Sequence, residues 1–322
     1  MILVLTSELG DNSHYSIIDW LNNLHANYKI ISGESILRAE VSFTLKNGCI
    51  YCDGINLTEN VTCVYYRRWM ISPNVKISED RVLNSTLANN LAGEMHEIKK
   101  MLFYNLANAT WFPDPKSIIV NKLSILEDAK KIGLNVPAYI VTNNKKELLS
   151  FYNDNNKIIT KAIGNFNVIK TLDENILNPI YTKPVDIKLI KSLPNKFCPS
   201  FFQKNIDKIL ELRIVYFREK IYTIGILSQD NEITHFDSRN KSEEVECRLV
   251  TMDISSDLKK KIKQLMNNLN LNIGSLDFLL DKNHQYYFLE VNPVGQIAGY
   301  SERTGYNIEK DIVEYLVSID NI

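Results

Sequence analysis

The sequence predicts an α/β (α+β) protein of two or three subdomains. Near its start, apolar runs of strand length alternate with a segment of helical period. Towards its end, short β-rich runs stand in pairs around polar turns, the pattern of antiparallel hairpins. And 322 residues with 45% apolar side chains exceed the usual size of one domain while supplying ample material for more than one core.

Taken in order, Ile2 to Leu5 reads as a short buried strand. Residues 15 to 28 carry Tyr15, Ile17, Ile18, Trp20, Leu21 and Leu24 at helical spacing, and Ile30 and Ile31 open the next strand. Asn47-Gly48 turns a hairpin between Val41–Leu45 and Cys49–Tyr51, and a strand runs from Val61 to Tyr66. Glu79 to Asn105 has few breakers and reads as one or two helices. Pro113 and Pro115 remove amide donors and force their predecessors extended, which places a domain boundary at 115 and an N-terminal domain at 1–115. Next come a helix from Ser117 to Ile132 closed by Gly133, a strand around Val136–Val141, a helix from Lys145 to Tyr152 and a strand at Lys157–Ala162. Residues 165–200, rich in Asn, Lys and Pro, read as a mobile lid or irregular connection, so that 116–200 forms a central subdomain. The last subdomain, 201–322, has strands at Phe201–Gln203, Leu212–Phe217, Ile221–Leu227 and Glu232–Phe236, with Arg218-Glu219-Lys220 as a turn. Helix Ser255–Leu269 then precedes strands Ser275–Leu280 and Tyr286–Val291.

Charge and composition exclude some function classes. The 37 Lys plus Arg balance 38 Asp plus Glu, and a net charge of -1 argues against a nucleic-acid partner, which needs a basic excess or stripe. No apolar run approaches the roughly 18 to 20 residues that span a bilayer, and the four apolar residues after Met1 follow no basic residue. The expectation is a cytoplasmic protein with no membrane partner. Five cysteines, an odd number spread over a long chain, do not form a disulfide framework. Cys49 and Cys52 form a CxxC, yet three residues apart on a strand they face opposite sides, so a structural role is favoured over a metal or redox site.

Chemistry concentrates near the end of the chain. Asp277 and Glu290 sit in apolar strands on either side of the polar segment Asp281-Lys282-Asn283-His284-Gln285. A turn centred between Asn283 and His284 places them opposite one another, and Asn292, two residues past Glu290, projects from the same face. Three oxygen donors on one patch suit a hard cation such as Mg²⁺, whose shell substrate phosphates and water complete. The alternative is an ordinary hairpin with two solvated acids. Unpaired carboxylates in such apolar strands would be costly to bury, which favours the metal.

These residues resemble the metal motif of the ATP-grasp ligases, over residues of about 116 to 300. The resemblance implies a fold with an N-terminal pre-ATP-grasp α/β domain, a central lid subdomain and a C-terminal antiparallel-sheet subdomain. It further implies that Asp277, Glu290 and Asn292 hold the Mg²⁺ that bridges ATP phosphates, and that Lys161 and Lys122 are the lysines contacting the nucleotide. Either lysine alone has a solvated surface residue as its alternative. Gln203-Lys204-Asn205-Ile206 resembles the adenine hinge, with backbone groups of Lys204 and Asn205 meeting the purine, and Glu211 resembles the acid that bonds the ribose. Arg213, on the same strand face as Glu211, and Arg239 each present a planar fork to a carboxylate or phosphate; an exposed cross-strand ion pair is the alternative for Arg213. Asp237 stands beside Arg239 as a candidate base. The loop Ala162 to Asn167 carries a single glycine, fewer small residues than the family's lid loop.

Residues 1 to 35, with Asp19-Trp20-Leu21, and Tyr65-Tyr66-Arg67-Arg68-Trp69 resemble one branch of these ligases, the graspetide synthetases, which include the grasp-with-spasm maturases and microviridin ligases. So does Phe288 to Gln296, with Glu302 downstream. The branch implies ATP-dependent condensation of Asp or Glu side chains of a ribosomally made precursor with Ser or Thr hydroxyls, giving ω-esters, or with Lys, giving ω-amides. In that reading Arg239 meets the core acid and Arg213 is its neighbour. At most one of Arg67 and Arg68 faces the cleft, since neighbours on a strand point opposite ways; both also fit as solvated charges. Trp69 reads as core. The partner implied is a peptide with a leader and an acidic, hydroxyl-rich core, and the lysine-rich 182 to 208 stretch offers charge for it. Family members are often homodimers. Two other classes stay open: a ligase that adds free amino acids to a small acid or protein C-terminus, and a nucleotide-binding module without chemistry.

Overall fold

Strand Ile2–Thr6 is buried on both faces, as its unbroken apolar run demands. In a computed structural model, which describes residues 1–8, 13–69, 76–164, 169–170, 176–177, 182–227, 247–295 and 297–321, it is an inner strand of a four-stranded parallel sheet. Tyr28–Ser32 lies on one side of it, Cys63–Tyr66 on the other, and Thr110–Phe112 closes the edge. Ile2 and Val4 pack towards helices Tyr15–Asn23 and Ile308–Asp320, whereas Leu3 and Leu5 pack towards helix Arg81–Asn105 and the small sheet that contains the Asn47-Gly48 hairpin. The stretch expected as one or two helices is a single helix of 25 residues, capped by Asp80.

A second sheet, in the order Lys183–Val185, Ile158–Lys161, Lys196–Lys204, Tyr139–Asn144, encloses a small core of Leu148, Ile158, Val185, Ile190 and Phe202. The region expected to be irregular thus contributes two of its strands and helix Ile187–Ser192. Strand Lys196–Lys204 crosses residue 200, where the sequence suggested a division. Alternating apolar and polar residues are hard to read there because only Phe201, Phe202 and Gln203 are buried. The helix expected from Ser117 begins at Lys122, because the Asn121 side chain accepts from the amides of Leu123 and Ser124 and fixes the start.

The third sheet is antiparallel and five-stranded, ordered Arg248–Met252, Lys220–Leu227, Lys208–Phe217, Ile273–Asp281, Tyr286–Asn292. Arg218 and Glu219 form its two-residue turn, both at positive φ as the tight hairpin requires. One face, with Leu212, Ile214, Leu276 and Phe278, is covered by helices Lys122–Lys131 and Ser256–Asn268. The other face is divided along its length. Val215, Phe217 and Ile273 pack on the N-terminal domain, while Glu211, Arg213, Ser275 and Asp277, at the same strand period, are polar. That change from apolar to polar positions the candidate site. The expected strand Glu232–Phe236, with Asp237 and Arg239, lies outside the described residues, as do residues 165–168 of the lid loop and Gln296.

Cys49 and Cys52 sit on opposite faces of one strand, and all five cysteines are free. Burial pushes the Cys52 thiol up to about 11 and that of Cys63 to about 12, values that disfavour the thiolate a metal or redox site needs. Among the described residues no helix is long and apolar enough to cross a membrane.

Candidate active site

Arg213, Asp277 and Glu290 stand in one row across three adjacent strands: Arg213 pairs with Asp277, and Asp277 with Glu290. The row forms by a route the turn does not disclose. Next to the turn the pairing is Leu280 with Tyr286, which continued would bring Asp277 opposite Leu289. A bulge between Asp277 and Phe278 in the pairing moves the register by one residue and brings Glu290 there instead. Asp281 organises the turn by accepting from the amides of Asn283 and Gln285 at 2.9 and 2.8 Å.

Asn292 completes the cluster, its Nδ2 donating to Asp277 Oδ2 at 3.4 Å and Glu290 Oε1 at 3.2 Å. Lys122, the first residue of its helix, places Nζ 3.0 Å from Glu290 Oε2. Arg213 places Nε 3.0 Å from Asp277 Oδ1 and donates through NH1 to Ser275 Oγ at 3.0 Å. Burial acts to raise the Glu290 carboxyl. Lys122 and Lys161 outweigh it and, with hydrogen bonds from Lys122 and Asn292, hold the group below the usual carboxylate range. The carboxylate is therefore charged at neutral pH.

These residues line a cleft of about 510 Å³ between the five-stranded sheet and the lid sheet. All eleven described candidates line it: Lys122, Lys161, Gln203, Lys204, Asn205, Ile206, Glu211, Arg213, Asp277, Glu290 and Asn292. Ile159, Leu279 and Leu289 add apolar wall, the last exposed to the cleft beside the bulge. Gln203 is 1% exposed and its buried Nε2 has no hydrogen-bond partner among the described residues. A donor left unpaired at such a wall is satisfied by a ligand that brings an acceptor.

The hinge and Glu211 have partners of their own within the fold. The amides of Lys204 and Asn205 already donate to Ala138 O and Lys157 O, at 2.8 and 2.9 Å, because the hinge continues the lid sheet. An amide that donates to a purine here is therefore another one; that of Ile206, the next along, has no protein acceptor among the described residues. Glu211, expected to face a ribose, is paired with Lys208. Arg67 and Arg68 do not line the cleft. Arg67 is 3% exposed and donates through NH1 to Gly295 O at 2.9 Å, tying the N-terminal domain to the loop after Asn292. Trp69 is buried in the core of that domain. Sequence reading missed Ser275, Lys208 and Gly295. Ser275 was legible, standing two residues before Asp277 on the same strand face.

The donor set fits a hard cation. Among the described residues no group of three His, Cys, Asp or Glu gathers, so a metal here rests on two carboxylates and an amide whose far edge is an oxygen. Such a sparse oxygen set, completed by phosphate and water, suits Mg²⁺ better than Zn²⁺.

No protein-family model and no curated protein sequence matches the chain. Solved structures do. The macrocyclase MdnC of Microcystis aeruginosa MRC, bound with precursor peptide MdnA, is 24% identical, with a TM-score of 0.80 over 98% of this chain and 99% of that one. A RiPP-associated ATP-grasp ligase of Chryseobacterium gregarium, in complex with ADP and a leader and core peptide, is 23% identical, with a TM-score of 0.80 over 98% and 96%. The chain has the ATP-grasp fold. D-alanyl-alanine synthetase A of Vibrio cholerae shares that fold more distantly, at 14% identity and a TM-score of 0.54 over 100% and 98%. The likeness to the first two spans the N-terminal parallel sheet as well as the lid and the five-stranded sheet.

Proposed function

We propose that this protein is an ATP-dependent peptide macrocyclase of the graspetide synthetase type. It activates Asp or Glu side chains of a ribosomally made precursor and joins them to Ser or Thr hydroxyls or Lys amines. The observation that carries the reading is the cleft itself: a row of two carboxylates and an amide faced by Lys122, Lys161 and Arg213, beside a hinge whose Ile206 amide has no protein acceptor among the described residues. Opposed signs at that spacing suit a metal polyphosphate. A peptide is favoured over a free amino acid by the likeness to peptide-bound ligases at a TM-score of 0.80, against 0.54 for the D-alanyl-alanine synthetase. Within this reading residues 1–115 are the pre-ATP-grasp domain, the lid subdomain runs from 116 through the whole of strand Lys196–Lys204, and the residues after it carry the metal row.

Each residue has a task. Asp277, Glu290 and Asn292 would hold Mg²⁺, which would supply charge stabilisation to the transferring phosphoryl group. Lys122 and Lys161 neutralise phosphate oxygens, the Ile206 amide and the Gln203 side chain meet the purine edge, and Arg239, with Arg213 as its neighbour, meets the substrate carboxylate. A carboxylate is a poor electrophile, so its oxygen first takes the γ-phosphoryl group and ADP leaves. The acceptor oxygen or nitrogen then attacks the acyl carbon, phosphate leaves, and the acceptor's proton passes to a base, for which Asp237 beside Arg239 is the candidate. Exposed Lys183, Lys188, Lys191 and Lys196 offer a positive surface to an acidic leader.

Mass spectrometry of a Thr/Glu-rich precursor after incubation with ATP and Mg²⁺ tests the reading. Loss of one water per ring supports it; unchanged mass across candidate precursors, with ATP and Mg²⁺ bound, refutes it.

A further inference from the structure

The segment that follows the metal row is seated in the N-terminal domain. Asn292 ends its strand, and the amide of Gly295 donates to Asn292 O at 3.1 Å, closing a turn through Pro293 and Val294. Val294 packs against the core on one face of the parallel sheet, with Leu3, Leu5 and Trp69, whereas Ile297 belongs to the core on the other face, with Ile2, Val4 and Tyr65. The segment therefore straddles the end of that sheet. Between these two side chains, Arg67 donates through NH1 to Gly295 O at 2.9 Å. Arg67 is itself held: its amide donates to Leu5 O at 2.9 Å, continuing the pairing of strand Cys63–Tyr66, and its side chain is buried. Carboxyl ends of parallel strands commonly receive a ligand. At Arg67 they receive the chain's own turn.

On its other side the same turn bears on the row. Gly295 packs against Ser275, which pairs with Asn292 across the strands. Asn292 Nδ2 reaches Asp277 and Glu290 at 3.4 and 3.2 Å, which leaves the amide oxygen as the third donor for a cation. An Mg²⁺ shell tolerates little error, since it demands ligand distances of about 2.0–2.1 Å and near-octahedral angles. A turn that slackens moves Asn292 out of that tolerance. We propose that Arg67 is a positioning residue for the metal: through the Gly295 carbonyl it clamps the Asn292 turn to the parallel sheet, so that the N-terminal domain sets how strongly Mg²⁺ is held in a cleft that Arg67 does not line. The inference rests on the metal reading of the row given above.

Calorimetric titration of the full-length protein with ADP, once in EDTA and once in saturating Mg²⁺, tests it. The ratio of the two dissociation constants measures how far the metal tightens the nucleotide. Arg67→Met is expected to cut that ratio about tenfold, the lower end of what a group that orients a metal ligand is worth, while the affinity in EDTA stays unchanged. Asn272→Ala is the control. Its Nδ2 donates to Trp111 O at 2.7 Å and ties the same sheet to the same domain at the apolar end of strand Ile273–Asp281, so its loss should lower the urea midpoint and leave the ratio as it was. Where Arg67→Met does not fold, Val294→Ala loosens the turn from its apolar side and is held to the same outcomes. An unchanged ratio, whether or not both affinities fall, overturns the positioning role and leaves the metal reading intact. So does an equal fall of the ratio in Asn272→Ala, since seating of the domain in general would then explain it. A ratio of one in the unaltered protein overturns the metal reading and the inference with it.

Discussion

Replacing Gly295 by Ala strikes the metal row from behind. A Cβ at this position would stand 1.9 Å from Ser275 Oγ, 3.0 Å from Ser275 Cβ and 3.2 Å from Asn292 O. None of the three can yield freely. Ser275 is fully buried and its hydroxyl accepts from Arg213; Asn292 O belongs to the strand end and accepts from the Gly295 amide at 3.1 Å. Overpacking of this kind costs about 1–3 kcal/mol. If the Ser275 hydroxyl turns away instead, the loss of a hydrogen bond to a charged group costs about 1.5–3 kcal/mol. Urea unfolding should show a lower midpoint with unchanged slope, and titration with Mg²⁺ and ADP should show weaker binding because Asn292 is displaced. Adding Ser275→Gly to Gly295→Ala should recover part of the stability. A Gly295→Ala variant that unfolds at the original urea concentration and binds Mg²⁺ and ADP as before would refute the close packing behind the row.

Four further outcomes follow from the same geometry. Asp277→Ala and Glu290→Ala should abolish turnover and Mg²⁺-dependent nucleotide binding while circular dichroism stays unchanged; full activity in either would sink the metal assignment. Arg67→Met should cost about 1.5–3 kcal/mol by removing a charged donor from the Gly295 carbonyl, read as a lowered urea midpoint. Burial, reinforced by acceptors Glu127 and Glu219, raises the phenols of Tyr139 and Tyr216 to about 12 from a usual 10. A group whose folded pKa is raised stabilises fully below its unfolded value, so this contribution is present below pH 10 and lost between pH 10 and about 12, where absorbance near 295 nm should rise together with unfolding. Native alkylation should modify exposed Cys198 ahead of buried Cys52 and Cys63, as peptide mapping would reveal.

What the amino-acid order determined by itself was local. Period and turn chemistry are properties of neighbouring residues, so the apolar run at Ile2, the Asn47-Gly48 hairpin, the Arg218-Glu219 turn and the amphipathic helix Ser256–Asn268 were legible within a few residues. The metal row was legible too, because side chains two apart share a face; yet the symmetric turn used to place it is absent, and the bulge restores the pairing. Lys196–Lys204 was harder to read because it is buried mainly at Phe201 to Gln203, leaving little alternation to detect.

The tertiary structure decided which groups are still available. The lid sheet takes up the amides of Lys204 and Asn205, and Glu211 is paired with Lys208. Arg213, Lys122 and Arg67 acquired their partners, Asp277, Glu290 and the Gly295 carbonyl, from segments 64 to 228 residues away. Hydrogen bonds and ion pairs depend on distance in space, and no local pattern encodes it. The α/β class and the acidic row therefore belonged to the sequence, whereas the charge state of the cleft, and the cation that holds each acid, came from the packing of distant strands.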